Sequence, residues 1–172
     1  MSMDREPEWE FKERDIIILK ELAKNPQVSS RDLTDILEAD YDIDVSHVTV
    51  SESIRKMRDE GVFREAIIPN ETYFIFALFE FKFNPEHFAE GWREAMEYIR
   101  DHENTLFYFL SDGEYQWKSV MMFPTRQSES EWIHQFYKDH GSVVHNIRNT
   151  VVTNVLNFGT NPDLFDSLRS EE

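Results

Sequence analysis

The sequence contains no cysteine, so disulfide frameworks, thiol nucleophiles and cysteine-based zinc sites are excluded. Long hydrophobic runs are also missing, because no uninterrupted apolar stretch approaches the roughly 20 residues that a membrane-spanning helix requires. The acidic start of the chain lacks the apolar stretch that is typical of a signal peptide. We therefore expect a cytoplasmic protein that has no membrane partner.

Basic residues are scarce as well. The chain carries 18 lysines and arginines against 34 aspartates and glutamates, and its formal net charge is -16. The acidic residues are spread along the whole chain, a pattern that concerns solubility and milieu more than fold. Together with the excess of arginine over lysine, it leads to the hypothesis of a halophilic, archaeal source with molar KCl in the cell. Full stability of the protein in dilute buffer would contradict that hypothesis.

Aromatic side chains, in contrast, are abundant. Phenylalanine alone occurs 14 times, and aromatic residues make up 14% of the chain. A chain of this composition buries enough apolar surface to fold. Its 172 residues suffice for one domain of ordinary size or for two small ones.

The first third of the sequence predicts three helices. Apolar residues recur at helical spacing from Glu13 to Lys24, and Asn25-Pro26 ends this helix. Ser29 or Ser30 is the predicted N-cap of a second, short helix. The acidic loop from Asp40 to Asp44 ends the second helix.

A third helix is predicted from the N-cap Ser46 to about Glu60. Its apolar face recurs at i, i+4 and i+7, and Gly61 ends it. The stretch VFREAIIP follows, and its β-rich composition predicts the small β element of a winged helix-turn-helix. Pro69 to Thr72 is the predicted hinge between the two halves of the chain.

The second half of the sequence predicts alternating strands and helices. A strand from Tyr73 to Phe83 is apolar on both faces in its first half, which indicates burial on both sides. Asn84-Pro85 then begins a helix that reaches about His102. The strands TLFYFLS and YQWKSVMMF flank a turn at Asp112-Gly113. The S-x-x-E capping box from Ser128 to Glu131 begins another helix, and Gly141 ends it.

A last strand region, Val143 to Phe158, completes the order β-α-β-β-α-β, which is typical of the ferredoxin-like sandwich. The predicted fold class is therefore α+β, with an N-terminal winged helix-turn-helix followed by a ferredoxin-like domain. The predicted domains are an arm at residues 1-12, the winged helix-turn-helix at 13-69, the sandwich at 70-160 and a tail at 161-172. The tail has the apolar residues for one terminal helical turn.

Four short motifs occur in order along the first third of the chain. The first is D-x-x-I-L-x-x-L-x-x-N, at Asp15, Ile18, Leu19, Leu22 and Asn25, and the second is V-S, at Val28 and Ser29. The third is S-x-x-T-V-S, at Ser46, Thr49, Val50 and Ser51. The fourth is I-x-x-M-x-x-E-G-V, at Ile54, Met57, Glu60, Gly61 and Val62. With the predicted fold, they make the chain resemble the Lrp/AsnC (feast/famine) family of transcriptional regulators, in a haloarchaeal-like form, from Asp15 to Phe158.

The resemblance implies a sequence-specific regulator that binds double-stranded DNA as a homodimer or higher homo-oligomer and needs no cofactor. A helix-turn-helix places the polar face of its second helix in the major groove. The polar residues away from the apolar face of the third helix are the candidates for contacts to bases and phosphates, and nearby basic residues are candidates for holding the backbone. These DNA-binding candidates are Ser46, His47, Thr49, Ser51, Ser53, Arg55, Lys56 and Arg64.

The resemblance also implies a second functional surface in the sandwich domain. In the family, the hairpin after the second strand carries a turn near an effector site at subunit contacts. The matching candidates here are Asp112, Gly113, Glu114, Tyr115 and Gln116. Gln116 replaces an acidic residue, so the ligand, or whether there is one, stays open. The doubly apolar strand predicts that a partner subunit covers Phe74, Phe76 and Leu78.

Two other functions remain open for the same fold. One is a protein-interaction adaptor whose acidic winged helix binds another protein and not DNA. The other is a ligand sensor whose helix-turn-helix is vestigial. The aromatic strands lack the signature of RNA-recognition domains, which disfavours RNA binding.

Neither a metal centre nor an enzyme is predicted. His134, His140 and His145 are close in sequence but lack the spacing of metal ligands, which favours ordinary surface histidines. The sequence shows no Ser/His/Asp arrangement, no phosphate-cradling glycine loop and no convincing carboxylate pair. Catalysis therefore has no candidate residues.

Overall fold

The structure is a computed structural model, and it describes residues 9-169. The chain forms two compact units. Among the described residues, the first contains 9-66 and 157-169, and the second contains Ile67–Leu156. The elements are mixed α and β, as the sequence predicts.

The first unit is built on three helices, α1 (Glu13–Lys24), α2 (Ser30–Tyr41) and α3 (His47–Asp59). The helical spacing predicts the bounds of α1 correctly. Of the two candidate N-caps for α2, Ser29 is the one used, since its side chain accepts a hydrogen bond from the Asp32 N–H. One face of each helix contributes to a shared apolar core of Ile17, Ile18, Leu19, Leu33, Leu37, Val50 and Met57.

The connection between α2 and α3 is shorter than the sequence predicts, because α2 continues into the acidic stretch that begins at Asp40. Asp40 and Tyr41 still belong to α2, so only residues 42-46 join the two helices. Asp42 ends the helix in the left-handed conformation, with φ of 56°, which short polar side chains tolerate better than most. The helix therefore continues into the acidic stretch until a residue that adopts this turn conformation is reached.

The predicted small β element is absent. No residue between Val62 and Phe74, all of them described, lies in a strand. The Val62 N–H donates to the Met57 carbonyl at 2.8 Å, and Arg58 pairs with Glu65 at 3.0 Å and lies 5.7 Å from the Phe63 ring centroid. These contacts hold the segment on the end of α3. Its β-forming residues have no neighbouring strand to pair with, so they form no strand.

A C-terminal 3-10 helix, Pro162–Leu168, completes the first unit by packing on α1. Phe165 and Leu168 contact the core of the three helices. Lys20 pairs with Asp166 at 2.8 Å, and Arg169 pairs with Glu13 at 2.6 Å. The hydrogen bond from Lys20 lowers the pKa of Asp166. The predicted terminal helical turn is therefore present, and it is packed on α1.

The second unit contains β1 (Ile75–Phe83), α4 (Phe88–Asp101), β2 (Thr105–Leu110), β3 (Trp117–Phe123), α5 (Arg126–His140) and β4 (Val144–Val151). The strands form one antiparallel sheet in the order β2-β3-β1-β4. In its centre, Ala77 of β1 pairs with Met121 of β3 and with Val151 of β4. The predicted element order is confirmed.

Several boundaries in this unit differ from the prediction, and β1 and β3 each begin two residues later than predicted, at Ile75 and Trp117. α4 begins at Phe88 instead of Pro85, because Asn84 and its neighbours form a separate turn before the helix. α5 begins at Arg126, with Thr125 as N-cap and Ser128 as its capping-box partner. β4 ends at Val151 instead of reaching Phe158, although the Val152 N–H still donates to the Phe76 carbonyl of β1 at 2.8 Å.

The two helices of the second unit cover one face of the sheet. Phe79 and Phe81 of β1 pack with Trp132 and Phe136 of α5 and with Ala95 of α4 in one buried cluster. On the opposite face, the described residues of this unit provide no second layer. Across residues 9-169, no helix has both the length and the apolar character to cross a membrane.

Candidate nucleic-acid interface and effector surface

The first turn of α3 is fixed by its own hydroxyl groups. The Ser46 Oγ accepts a hydrogen bond from the Thr49 N–H at 3.2 Å and lies 3.0 Å from the Thr49 Oγ1. Ser46 is therefore the N-cap that the sequence predicts. Both hydroxyl groups are engaged locally, so their first role is to position the start of the helix.

Replacing Ser46 with alanine is expected to lower the free energy of unfolding by about 1 kcal/mol, because an N-H at the helix start loses its acceptor. Urea denaturation followed by circular dichroism measures the change. The matched control is Ser51→Ala, since Ser51 is exposed inside the same helix, and this variant should be neutral or slightly more stable. Equal effects of the two substitutions would contradict the capping role.

The exposed face of α3 carries most of the predicted DNA contacts. His47, Ser51 and Arg55 follow one another at intervals of four residues, and all three are exposed. Residues at this spacing lie above one another on a helix. Lys56 is also exposed, and Arg64 is exposed in the segment after the helix. The helix thus presents an imidazole, a hydroxyl and a guanidinium in one stripe.

Ser53 does not belong to this exposed face. It is only 7% exposed and lies on the same side of α3 as the buried Val50 and Met57. The predicted contact from Ser53 to DNA is therefore wrong, because the spacing i, i+3, i+7 places a residue on the core face whatever its polarity. Thr49 is half-buried.

Charge on α3 is divided between paired and free groups. One guanidinium nitrogen of Arg58 donates to both carboxylate oxygens of Glu65, at 3.1 and 3.0 Å, so the Arg58 charge is compensated. Arg55, Lys56 and Arg64 have no ion pair within the described part of the chain. Arg55, Lys56 and Arg64 therefore carry charges that no neighbouring carboxylate compensates, and their contact with phosphates stays a prediction.

The predicted effector residues form the loop between β2 and β3. Gly113 adopts φ of +89°, a conformation that favours glycine. The Ser111 N–H donates to the Gln116 carbonyl at 2.8 Å, and the Ser111 Oγ donates to the Tyr115 carbonyl at 3.0 Å. The loop is therefore closed at its base, and Asp112, Glu114 and Gln116 are exposed on it.

Neighbouring strands supply three residues at this loop that the sequence analysis missed. Lys82 of β1 donates a hydrogen bond to Glu114, which lowers the pKa of that carboxyl group. Asn146 of β4 donates to the Tyr115 hydroxyl at 3.0 Å, and Arg148 lies 4.4 Å from the Tyr115 ring centroid. The alternation of β1 places Lys82 on the same face as Glu80. Asn146 and Arg148 come to the loop only because β4 pairs with β1, which the sequence does not show.

The predicted dimer surface lies on the uncovered face of the sheet. Phe76 is only 6% exposed, so it is already buried within the chain, and the prediction that a partner subunit covers it is wrong. Leu78 is half-buried between Val120 and Thr150 of the adjacent strands, and Phe74 is half-buried just before β1. Phe107 and Phe109 of β2 are 47% and 44% exposed. This apolar area belongs to a sheet that has helices on its other side only.

An ion cluster lies beside the apolar area on the same face. One Glu80 oxygen is 3.4 Å from the Lys118 Nζ, and the other is 3.4 Å from an Arg148 guanidinium nitrogen. Glu80 is largely shielded, whereas Arg148 is exposed. The uncovered face is thus divided into an apolar end and a charged end, and the charged end adjoins the loop at residues 111-116.

Solved structures with the same architecture include those of transcriptional regulators. Escherichia coli AsnC aligns with a TM-score of 0.68 at 14% identity, over 90% of this chain and 99% of that one. An AsnC family regulator from Agrobacterium tumefaciens aligns with a TM-score of 0.69 at 12% identity, over 87% and 95% of the two chains. This chain has the AsnC fold.

A third structure with the AsnC fold was solved with a ligand. It is the transcriptional regulator NMB0573 of Neisseria meningitidis in complex with L-Met, which aligns with a TM-score of 0.68 at 16% identity, over 88% of this chain and 95% of that one. The proteins from Agrobacterium tumefaciens and Neisseria meningitidis are both transcriptional regulators. No protein-family model matches the sequence, and no curated protein matches it. The likeness therefore concerns the AsnC fold.

Proposed function

We propose that the chain is a DNA-binding transcriptional regulator. The observation that supports this most is the exposed stripe of His47, Ser51 and Arg55 on α3, beside the free charges of Lys56 and Arg64. A helix of this kind fits the major groove, where imidazole, hydroxyl and guanidinium groups reach base edges and phosphates. Catalysis forms no part of the proposal.

The two predicted domains have distinct roles in this proposal, and their bounds differ by a few residues from those of the compact units, which change at Ala66 and Leu156. Residues 13-69 are the helix-turn-helix domain, in which the strand-free segment after Gly61 takes the place of the wing. Residues 70-160 are a ferredoxin-like domain, an assignment that the β-α-β-β-α-β order and the antiparallel sheet support. The C-terminal 3-10 helix is an addition to the first domain, because it packs on α1.

Pairing of two subunits through the uncovered sheet face is the second part of the proposal. Half-exposed phenylalanines on β2 and the apolar centre of β1 support it, since exposed apolar area on a sheet is covered in stable proteins. A symmetric dimer presents two copies of α3 to half-sites about one helical turn of DNA apart. In high salt the release of counterions from DNA contributes little to affinity, so binding there relies on hydrogen bonds, shape and this avidity.

The third part of the proposal is that a small effector binds at the loop formed by residues 111-116. The regulator from Neisseria meningitidis was solved with L-Met, which supports a search for small ligands here. The Lys82 ammonium is already held by Glu114, and Arg148 by Glu80 and Tyr115. An anionic effector therefore has to displace one of these pairs, and binding there should rearrange the charged end of the sheet face.

Arg55→Glu is the test of DNA binding. We expect it to weaken binding to DNA fragments selected from genomic DNA by at least about tenfold, because one phosphate or base contact is lost and a like charge replaces it. Fluorescence anisotropy at a fixed KCl concentration measures the affinity.

The control for this test is Lys138→Glu in α5, which changes the net charge of the protein by the same amount on an exposed helix of the other unit. It should leave the affinity for DNA nearly unchanged. If both variants weaken binding equally, the effect is one of overall charge. If wild-type protein retains no DNA, the adaptor function gains support instead.

A further inference from the structure

One line of side chains on α3 points directly away from the helical core. The core residues Val50, Ile54 and Met57 follow the spacing i, i+4 and i+7. A shift of two residues turns a side chain about 200° around a helix axis. The outward line, opposite the core, therefore begins at Val48 and continues at Glu52, and both residues are exposed.

The fold itself makes little use of these two side chains. Val48 is 53% exposed, whereas Val50 and Met57 of the same helix are fully buried. An exposed valine stabilises a helix less than alanine does. Glu52 has neither a side-chain hydrogen bond nor an ion pair within residues 9-169. Both side chains are therefore available to a molecule that meets this face of α3.

The carboxylate restricts what this molecule can present. Glu52 accepts hydrogen bonds and donates none, so phosphate oxygens and base acceptors repel it. In the major groove of DNA, the hydrogen-bond donors are the amino groups of cytosine and adenine. Adenine places the acceptor N7 beside its amino group, whereas cytosine has a C–H group there. Cytosine is therefore the better partner for a carboxylate.

Val48 has a different counterpart on the bases. Its methyl groups form no hydrogen bonds, and the C5 methyl of thymine is the apolar group that base pairs present in the major groove. Contact between the Val48 side chain and this methyl group removes apolar surface of both from water. Uracil lacks only that methyl group, so it provides a direct comparison.

We propose that the outward line of α3 reads a cytosine through Glu52 and a thymine through Val48. The inference rests on the proposed function, since it requires α3 to lie in the major groove, where the N-terminal part of a recognition helix contacts base edges. Four residues rise about 6 Å along a helix, the height of roughly two base pairs, so both bases belong to one half-site.

Glu52 contributes to this specificity mainly by rejecting other sequences. When the base opposite it is not cytosine, the carboxylate loses water without gaining a hydrogen-bond donor, and binding becomes weaker. The uncharged Val48 acts through attraction alone. The two side chains therefore require different tests.

The test of Glu52 is selection of random double-stranded DNA by the full chain at fixed KCl, for the wild type and for Glu52→Gln. A glutamine side chain pairs with the N6 and N7 of adenine. We expect one cytosine of the wild-type motif to change to adenine, while the other positions are retained. In fluorescence anisotropy titrations, the wild type should prefer cytosine over adenine there by at least about fivefold, and the variant should lose or reverse this preference.

The matched control is Asp59→Asn, which also replaces an exposed carboxylate of α3 with an amide. Asp59 is the last residue of the helix, away from the N-terminal part. Its replacement should raise the affinity for all sequences alike and leave the motif unchanged. Circular dichroism establishes that both variants fold. An unchanged motif in Glu52→Gln, or the same change in both variants, would overturn the proposal.

Val48 is tested by changing the DNA. Uracil replaces each thymine of the selected half-site in turn. At one position close to the cytosine read by Glu52, the loss of the methyl group should weaken wild-type binding about threefold. Val48→Ala should bind the thymine and uracil forms with similar affinity. Equal sensitivity of the wild type and Val48→Ala at every position would contradict the assignment of Val48.

These outcomes separate the inference from the proposed function. If the wild type selects no motif, DNA recognition and the base assignment both fail. If it selects a motif that depends on neither Glu52 nor Val48, DNA binding stands and only the base assignment is overturned.

Discussion

Replacing Phe79 with alanine is expected to lower the free energy of unfolding by about 3-5 kcal/mol, the cost typical of deleting a buried aromatic ring. Phe79 is fully buried at the centre of β1. Its ring centroid lies 5.0 Å from that of Trp132 and 6.0 Å from that of Phe123. The cavity would therefore open between the sheet and α5. Urea denaturation followed by tryptophan fluorescence measures the loss.

The control for this substitution is Phe158→Ala. Phe158 is 65% exposed and lies outside the regular elements, so its removal should change the free energy of unfolding by less than about 0.5 kcal/mol. A small effect of Phe79→Ala, similar to that of the control, would mean that the helices do not pack on this face of the sheet as described.

Leu78→Asp is expected to turn the proposed dimer into a folded monomer. Leu78 lies at the centre of the uncovered sheet face, paired with Val120 and Thr150, two positions before Glu80. A carboxylate there would be desolvated in the dimer and would repel Glu80, which is expected to raise the dimer dissociation constant by at least about 30-fold. Light scattering across a protein dilution series measures the association.

The matched control is Leu156→Asp, the same exchange at a side chain that is 90% exposed. It should leave the mass unchanged. Circular dichroism establishes whether Leu78→Asp still folds. A wild-type protein that is monomeric at all concentrations, or a Leu78→Asp variant that stays dimeric, contradicts pairing through this face.

Periodicity was sufficient to predict most elements of the fold. Helical spacing of Ile18, Leu19 and Leu22 predicts α1, because a single buried face fixes which side chains point inward. β1 is predicted from its β-rich run, which is apolar on both faces at first and alternates only towards its end. The order of these elements then restricts the second unit to few arrangements. Those parts of the fold depend on apolar patterning alone.

The ends of the helices and strands could not be predicted as well, because several nearby residues could each cap a helix or continue a strand. Ser128 and Glu131 match a capping box by spacing, yet Thr125 caps α5, since either hydroxyl suits the role and the chain entering the helix decides. The stretch after Gly61 has β propensity, but contacts of Arg58 with Phe63 and Glu65 hold it at the end of α3. Such contacts become visible only when the helix is in place.

The candidate sites were predictable only in part. His47, Ser51 and Arg55 are found from helical spacing, because exposure follows from the position of the core. Ser53 was misassigned because its polarity was given more weight than its spacing. Lys82 and Arg148 reach the loop at residues 111-116 through strand pairing between distant parts of the chain, and a single sequence holds no direct signal for that pairing.

The order of synthesis on the ribosome gives the C-terminal 3-10 helix a further consequence. The three helices of the first unit emerge first, but Phe165 and Leu168, which cover part of their core, emerge only after the whole sheet unit has been made. During that interval the apolar side of α1 lacks its cover. This surface therefore stays exposed, and open to aggregation, until the segment Pro162–Leu168 has been synthesised.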